Sequence, residues 1–151
     1  RNGNADIYGA YIPVPSIITL LSPNGGEMLL AGSVDIINWQ SSGPPINYVS
    51  IEYSTDSGQN WISIDSNVPN TGSFDWGPIA IVDSNQCLAR ISDKDNPGTS
   101  DISDSVFTIF KCSASLTADL SGDCYVDFED FALFTSQWLN CGNPHDPNWC
   151  E

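Results

Sequence analysis

The chain has 151 residues, of which 19 are Asp or Glu and only four are Lys or Arg, so its formal net charge at pH 7 is -15. This charge repels nucleic acids and anionic membrane surfaces at long range, and we therefore expect no nucleic-acid partner. The longest apolar run, residues 17–21, is far shorter than the roughly 18 residues of a membrane-spanning helix, which predicts no membrane span.

The first 16 residues are punctuated by Gly and Pro but carry five larger apolar side chains. These are Ile7, Tyr8, Tyr11, Ile12 and Val14. A terminal segment with so many apolar groups is expected to lie on a partner, either its own sheet or a neighbouring molecule. Because residues 7–14 are long enough to add a strand to an open sheet edge, residues 1–16 are a candidate donor strand. The first residue is Arg1 and not Met, which indicates a processed mature protein.

Short apolar runs recur from residue 17 to residue 110 between clusters of Gly, Pro, Asn, Asp and Ser. This pattern predicts an all-β sandwich over residues 17–111, with about seven strands. They are predicted near residues 17–21, 27–30, 33–39, 48–54, 61–65, 73–76, 86–92 and 105–110, the second being short enough to merge with a neighbour. Trp39, Trp76 and Phe107 are the expected large core residues.

Two of these predicted strands show which side faces the core. Residues 48–54 alternate apolar and polar side chains, so one face is expected in the core and the other in water. In residues 86–92, Cys87 shares a face with Ala89 and Ile91. Cys87 is therefore predicted to be a buried free thiol.

The other four cysteines fall in the last 40 residues, at Cys112, Cys124, Cys141 and Cys150. Such density is more typical of an oxidising compartment than of the cytosol, and it predicts a secreted protein, either extracellular or at the cell surface. Zinc is the alternative to disulfides, although no CxxC pair is present. Three pairings of the four are possible, and we favour Cys112 with Cys124 and Cys141 with Cys150 because both close short local loops.

Residues 119–130 space oxygen ligands along a twelve-residue loop. Positions 1, 3, 5, 9 and 12 are Asp119, Ser121, Asp123, Asp127 and Asp130, and the carbonyl of Tyr125 is the expected ligand at position 7. A hard cation needs several oxygen atoms brought to one point, so this spacing predicts a Ca²⁺ site. The alternative is an acidic surface loop that caps a helix. Position 6 is Cys124, where the sharp turn usually requires Gly.

A helix is predicted directly after this loop, over residues 128–139, because apolar residues recur there at helical spacing. The stripe consists of Phe128, Phe131, Ala132, Thr135, Trp138 and Leu139. We expect this face to pack on another surface. Because Leu133 and Phe134 lie off the stripe, the helix either touches two surfaces or is buried in its own small domain.

An acidic segment before the last predicted strand is a second candidate cation site. Its carboxylates belong to Asp93, Asp95, Asp101 and Asp104. Like charges clustered on one loop repel each other unless a cation neutralises them. The alternative is a solvated acidic loop.

The sequence favours no enzymatic activity, and we predict no catalytic residues. Residues 54–61 fit the Asp-box pattern of sialidase propellers, but one such box without blade repetition indicates a β-hairpin turn. His145 lies in a turn-rich stretch without a nearby nucleophile in the sequence. Pairs of carboxylates are expected by chance in so acidic a chain.

Two family resemblances rest on motifs along the chain. Residues 22–27 (SPNGGE), 37–39 (INW), 54–61, 87–91 (CLARI) and 101–104 (DISD) occur in an order that resembles a bacterial extracellular Ig-like domain, related to the N-terminal domain of yeast cell-wall β-glucan assembly proteins. Residues 116–139 resemble one half of a type I dockerin, in the cysteine-bearing form that ends many planctomycete secreted proteins. This resemblance implies calcium binding by the loop and a cohesin-like protein as a partner. A dockerin that binds a cohesin has two such units, and this chain has one.

The sequence therefore predicts a mainly β protein with three parts. They are an N-terminal tail (residues 1–16), an Ig-like β-sandwich (17–111) and an EF-hand-like calcium loop and helix, or half-dockerin, with disulfides (112–151). We expect a non-catalytic extracellular structural protein, stabilised by Ca²⁺, that self-assembles head to tail through its tail into a filament or surface layer. The alternative is an ancillary anchoring module of a larger secreted polysaccharide-degrading enzyme, with extracellular polysaccharide as a partner stacked on aromatic residues such as Trp61.

Overall fold

The computed structural model describes residues 14–112 and 116–137, and within it the chain divides between Phe110 and Lys111 into two compact units. Several residues singled out above lie outside the described residues, namely Ile7, Tyr8, Tyr11, Ile12, Trp138, Leu139, Cys141, His145 and Cys150. Among the helices that are described, none is long and apolar enough to cross a membrane.

Nine strands are described in the first unit. They are β1 (Ile17–Ser22), β2 (Met28–Leu30), β3 (Asp35–Ser42), β4 (Tyr48–Ser54), β5 (Ile62–Pro69), β6 (Ser73–Trp76), β7 (Ser84–Asp93), β8 (Ser100–Ile102) and β9 (Phe107–Phe110). One sheet has the order β1-β3-β6, the other has the order β2-β9-β7-β4-β5, and β8 pairs with β7. The pairs are antiparallel except for β2 with β9. This confirms the predicted β-sandwich, with two mainly antiparallel sheets.

Apolar side chains on the facing sides of the two sheets form one core. Trp39, Trp76 and Phe107 are 3%, 4% and 1% exposed, as the sequence predicts. The ring of Trp76 lies 5.3 Å from that of Tyr53 and 6.3 Å from that of Phe107, centroid to centroid. Tilted and edge-on geometries of this kind are the ones that aromatic pairs prefer. The buried indole N–H of Trp39 donates to Oδ1 of Asn70 at 2.6 Å, so its polar atom is satisfied.

The predicted alternation is present in β7. Cys87, Ala89 and Ile91 are fully buried, and Cys87 is a free thiol. Arg90 lies on the other face, where its guanidinium forms a 2.6 Å ion pair with Glu52 of β4. Burial raises the pKa of the Cys87 thiol, which keeps it protonated and unreactive. The predicted buried free thiol is thus confirmed.

The short strand β8 is absent from the predicted elements, yet the residue after it ties two parts of the sandwich together. The buried hydroxyl of Ser103 donates to the carbonyl of Pro23 at 2.8 Å and accepts the N–H of Ala89 at 2.9 Å. Ser103 N also donates to the carbonyl of Ala89 at 3.0 Å. These bonds fix the loop before β2 against β7.

The turn between β4 and β5 is organised by the carboxylate of Asp56. Its Oδ1 accepts the backbone N–H of Asn60 at 2.9 Å and the hydroxyl of Ser54 at 2.7 Å, and its Oδ2 accepts Nδ2 of Asn60 at 2.6 Å. Alternation along β4 predicts Ser54 on the solvent-exposed face, but Ser54 is fully buried. Its Oγ is satisfied there, because it also accepts the N–H of Gly58 at 2.9 Å. The Asp-box is a hairpin turn, as predicted.

We expect the Asp56 turn to make stability depend on acidity in a defined pH window. Hydrogen bonds, first that from the Asn60 side chain, lower the pKa of Asp56 from 3.8 to about 2. A carboxyl whose pKa is depressed by folding contributes stability above its unfolded pKa and loses that contribution as the pH falls through its folded pKa. Between pH 3.8 and about 2, the free energy of unfolding should therefore fall more steeply for wild type than for Asp56→Asn.

Urea unfolding at a series of pH values measures this difference. Asp83→Asn is the matched control, because Asp83 is exposed on the same unit. Parallel pH profiles for wild type and Asp56→Asn would contradict the prediction.

Candidate metal centre

The second unit contains the acidic loop, followed by α1 (Phe128–Gln137). Gly122 and Cys124 both adopt left-handed backbone conformations, with φ of 80° and 77°. At position 6, Cys124 thus takes the conformation for which Gly is usually required. A disulfide joins Cys124 to Cys112, which confirms this half of the favoured pairing and excludes zinc ligation by these two thiols. The disulfide holds the tight turn at the centre of the loop.

Three of the predicted ligands come together in this loop. One carboxylate oxygen from each of Asp119, Asp123 and Asp130 lies within 4.8 Å of the other two. Among the residues that the structure describes, this is the one such group of three, and the one ion pair lies elsewhere, between Arg90 and Glu52. Three carboxylates held so close repel each other, and a bound cation would relieve that repulsion.

Asp130 is the best-enclosed member of the group, with 3% of its surface exposed. Its Oδ1 accepts the backbone N–H groups of Leu120 at 2.7 Å and Ser121 at 2.9 Å, and its Oδ2 accepts that of Asp127 at 2.8 Å. These bonds, that of Ser121 first, lower the pKa of Asp130, so the buried carboxyl is ionised at neutral pH.

Backbone amides also orient the carboxylates at the start of the loop. Asp119 accepts the N–H of Gly122 at 2.6 Å through Oδ1 and that of Cys124 at 3.0 Å through Oδ2. Asp123 accepts the N–H of Tyr125 at 2.9 Å. The backbone of the loop therefore surrounds its own acidic side chains.

The remaining predicted ligands have different surroundings. The hydroxyl of Ser121 donates to Oδ1 of Asp119 at 3.3 Å, at the edge of the group. Asp127 caps α1, because its Oδ1 accepts the N–H of Glu129 at 2.8 Å. Three carboxylates with a neighbouring hydroxyl are hard oxygen donors, which fit Ca²⁺ in chemistry.

The second predicted cation site contains Asp93, Asp95, Asp101 and Asp104, and the structure does not bring these four together. Oδ2 of Asp101 accepts the N–H of Leu20 at 2.8 Å, and Oδ2 of Asp104 accepts the side-chain amide of Asn24 at 2.8 Å. β8 turns Asp101 toward β1. These two acids therefore hold the sandwich together through hydrogen bonds.

The apolar side chains of α1 are exposed, where the sequence predicts a packed stripe. Within the predicted stripe, Phe128 is 88% exposed and Phe131 58%. Phe134, which lies off the stripe, is 45% exposed. Beside the carboxylate group lies a groove of about 380 Å³, lined in part by Leu120 and Val126 together with Phe131 and Phe134. Leu120 and Val126 are not among the residues predicted from the sequence. The feature that could have indicated them is an apolar side chain at positions 2 and 8 of an otherwise polar loop.

No family model matches the chain, and no curated protein matches it. Among solved structures, the fibronectin(III)-like modules of Clostridium thermocellum CbhA are similar to it. The similarity covers 66% of this chain and 100% of the module chain, with 21% sequence identity and a TM-score of 0.36. A similarity at this level does not indicate what this chain binds.

We expect the left-handed conformation of Cys124 to have a measurable energetic cost once the disulfide is removed. Cys112→Ser/Cys124→Gly and Cys112→Ser/Cys124→Ser both lack the cross-link, but only Gly adopts φ near 77° without strain. The free energy of local unfolding of the loop should therefore be about 1 kcal/mol lower in the Ser variant. This corresponds to about fivefold faster amide hydrogen exchange at Leu120 and Ser121 in that variant. Equal exchange rates in the two variants would show that the turn does not need this conformation.

Proposed function

We propose that this chain is a non-catalytic extracellular structural module, stabilised by Ca²⁺ and assembled through its N-terminal segment. The observation that carries the calcium part is the meeting of Asp119, Asp123 and Asp130 within 4.8 Å, on a loop with the ligand spacing of calcium-binding loops. The Cys112–Cys124 disulfide supports an oxidising, extracellular setting.

The energetics of α1 support a role for the cation in stability. The buried residue of this ten-residue helix is Asp130, while Phe128 and Phe131 are exposed. Burial of these two side chains therefore contributes little to holding the helix, and an isolated helix of this length is marginal in water. A cation bound to Asp130 and to the start of the loop would join the helix to the turn that precedes it.

Calcium binding is tested by calorimetric titration of the full chain. We choose Asp123→Asn because the described bonds of Asp123 are local to the loop, and Asp83→Asn is the control with the same change of charge on the sandwich. We expect one strong site in wild type and in Asp83→Asn, and a loss of affinity on the order of tenfold or more in Asp123→Asn. Equal affinities in all three proteins, or no binding, would refute the proposed site.

Several acids that resemble candidate catalytic groups have structural partners, which supports a non-catalytic role. Asp56 is bound within the hairpin turn, Asp101 by β1 and Asp104 by Asn24. The assembly part of the proposal rests on the sequence of residues 7–14, which are apolar and uncharged in a chain of net charge -15. A strand that one copy donates to the next forms a heterologous contact, which generates an open filament.

Assembly is tested by negative-stain electron microscopy of the full chain and of a variant that lacks residues 1–13. We expect filaments of the full chain that disappear in the deletion variant and that loosen when calcium is chelated. Single particles of the full chain under all conditions would contradict self-assembly. They would favour the second candidate function, an anchoring module of a larger secreted enzyme. The exposed side chains of Phe128 and Phe131 are the observation that supports it.

A further inference from the structure

The sandwich is open along one side, between the edge strands of its two sheets. Within the described residues, β5 is the last strand of one sheet and β6 the last strand of the other. A cleft of about 300 Å³ lies between them. Its lining includes Tyr53, Ile62, Ile64, Phe74, Trp76 and Ala80. No strand of residues 14–112 pairs with the outer edges of β5 and β6, which leaves their backbone groups able to pair with an added strand.

The cleft reaches the hydrophobic core itself. Tyr53 and Trp76, whose rings pack at 5.3 Å, are core residues that also line the cleft. Ile64 and Phe74 are half-buried against the core, and Ile62 at the mouth is 46% exposed. The lining contains no charged side chain. Such a cleft fits an extended, uncharged segment that inserts alternate apolar side chains.

We propose that this cleft is the acceptor for residues 7–12 of a second copy of the chain. The inference rests on the proposed self-assembly and names its acceptor. The segment Ile-Tyr-Gly-Ala-Tyr-Ile carries no charge, as the lining carries none. In an extended strand, Tyr8, Ala10 and Ile12 share one face, and this face enters the cleft while the backbone pairs with a free edge.

The direction in which the chain enters β1 favours a donor from another copy. The described chain enters β1 beside the turn between β3 and β4. Ile17 pairs with Ser42 at the end of β3, whereas Phe74 in the cleft pairs with Ile37. Strand spacing and rise place Phe74 about 19 Å from Ile17. The five residues back to Ile12 span at most about 18 Å when fully extended, and they start in the direction away from Phe74. Ile12 of the same molecule would therefore reach the cleft only at the limit of full extension, whereas Ile12 of a second copy has no such restraint.

Cysteine cross-linking between two full-length variants tests this placement. Unlabelled Ile12→Cys is mixed with ¹⁵N-labelled Ile62→Cys under mild oxidation, and mixed disulfide dimers are quantified by mass. The control replaces Ile62→Cys with ¹⁵N-labelled Ile36→Cys. Ile36 is matched because it is 47% exposed, on the neighbouring strand β3, and does not line the cleft. Both acceptor positions are exposed, so neither change removes core packing.

We expect the mixed dimer with Ile62→Cys to exceed the control on the order of a hundredfold, because a bound segment raises the effective thiol concentration from about 10 μM to about 1 mM. Equal yields with Ile62→Cys and Ile36→Cys would overturn the proposed acceptor. If the full chain forms filaments that need residues 1–13 but yields are equal, self-assembly stands and a different surface receives the segment. If neither filaments nor excess cross-links form, both proposals fail.

Discussion

Backbone N–H groups, and not basic side chains, hold the carboxylates of this acidic chain in place. With 19 acids and four Lys or Arg residues, ion pairs can satisfy few of them, and one ion pair forms among the described residues. Asp56 is held by the amide of Asn60, Asp101 by that of Leu20, and Asp130 by three amides of its own loop. Because an amide bound to a carboxylate fixes the local backbone, each of these acids also defines a turn or joins two segments.

The binding of carboxylates by backbone N–H groups has different consequences in the two units. In the sandwich, carboxylates fix the edges of a fold whose stability comes from a buried core around Trp76 and Phe107. In the described part of the second unit, by contrast, the buried residue of α1 is itself a carboxylate, Asp130. Hydrogen bonds satisfy each carboxylate separately but leave the repulsion between Asp119, Asp123 and Asp130, which the proposed cation would relieve.

The sequence predicts the parts of the fold that follow from side-chain alternation. Residues 48–54 and 86–92 have apolar side chains on one face, and both are strands with that face in the core. β8 was missed because three residues, Ser-Asp-Ile, are too short to show a period. The cleft was missed for a related reason, since whether the outer edges of β5 and β6 are covered depends on the pairing of distant strands and not on their own residues.

The candidate metal centre shows the same limits. Ligand spacing is local, so the sequence predicts the meeting of Asp119, Asp123 and Asp130. The sequence also predicts a second cation site that includes Asp101 and Asp104. The structural roles of these two acids depend on contacts with Leu20 and Asn24, about 80 residues away, which a local pattern does not show. The unusual Cys124 is explained by its conformation and by its partner Cys112, which the sequence could favour but not establish.

A calcium titration followed by amide ¹H–¹⁵N NMR spectra tests the central claim most directly. We expect saturable shifts, below about 10 mM Ca²⁺, for the loop amides bonded to the three carboxylates, such as those of Ser121 and Cys124. The amide of Asn60 is the internal comparison, because Asp56 holds it without a neighbouring carboxylate group, and its signal should stay unchanged. Unchanged loop signals, or equal shifts at Asn60 and in the loop, would contradict calcium binding by the three carboxylates.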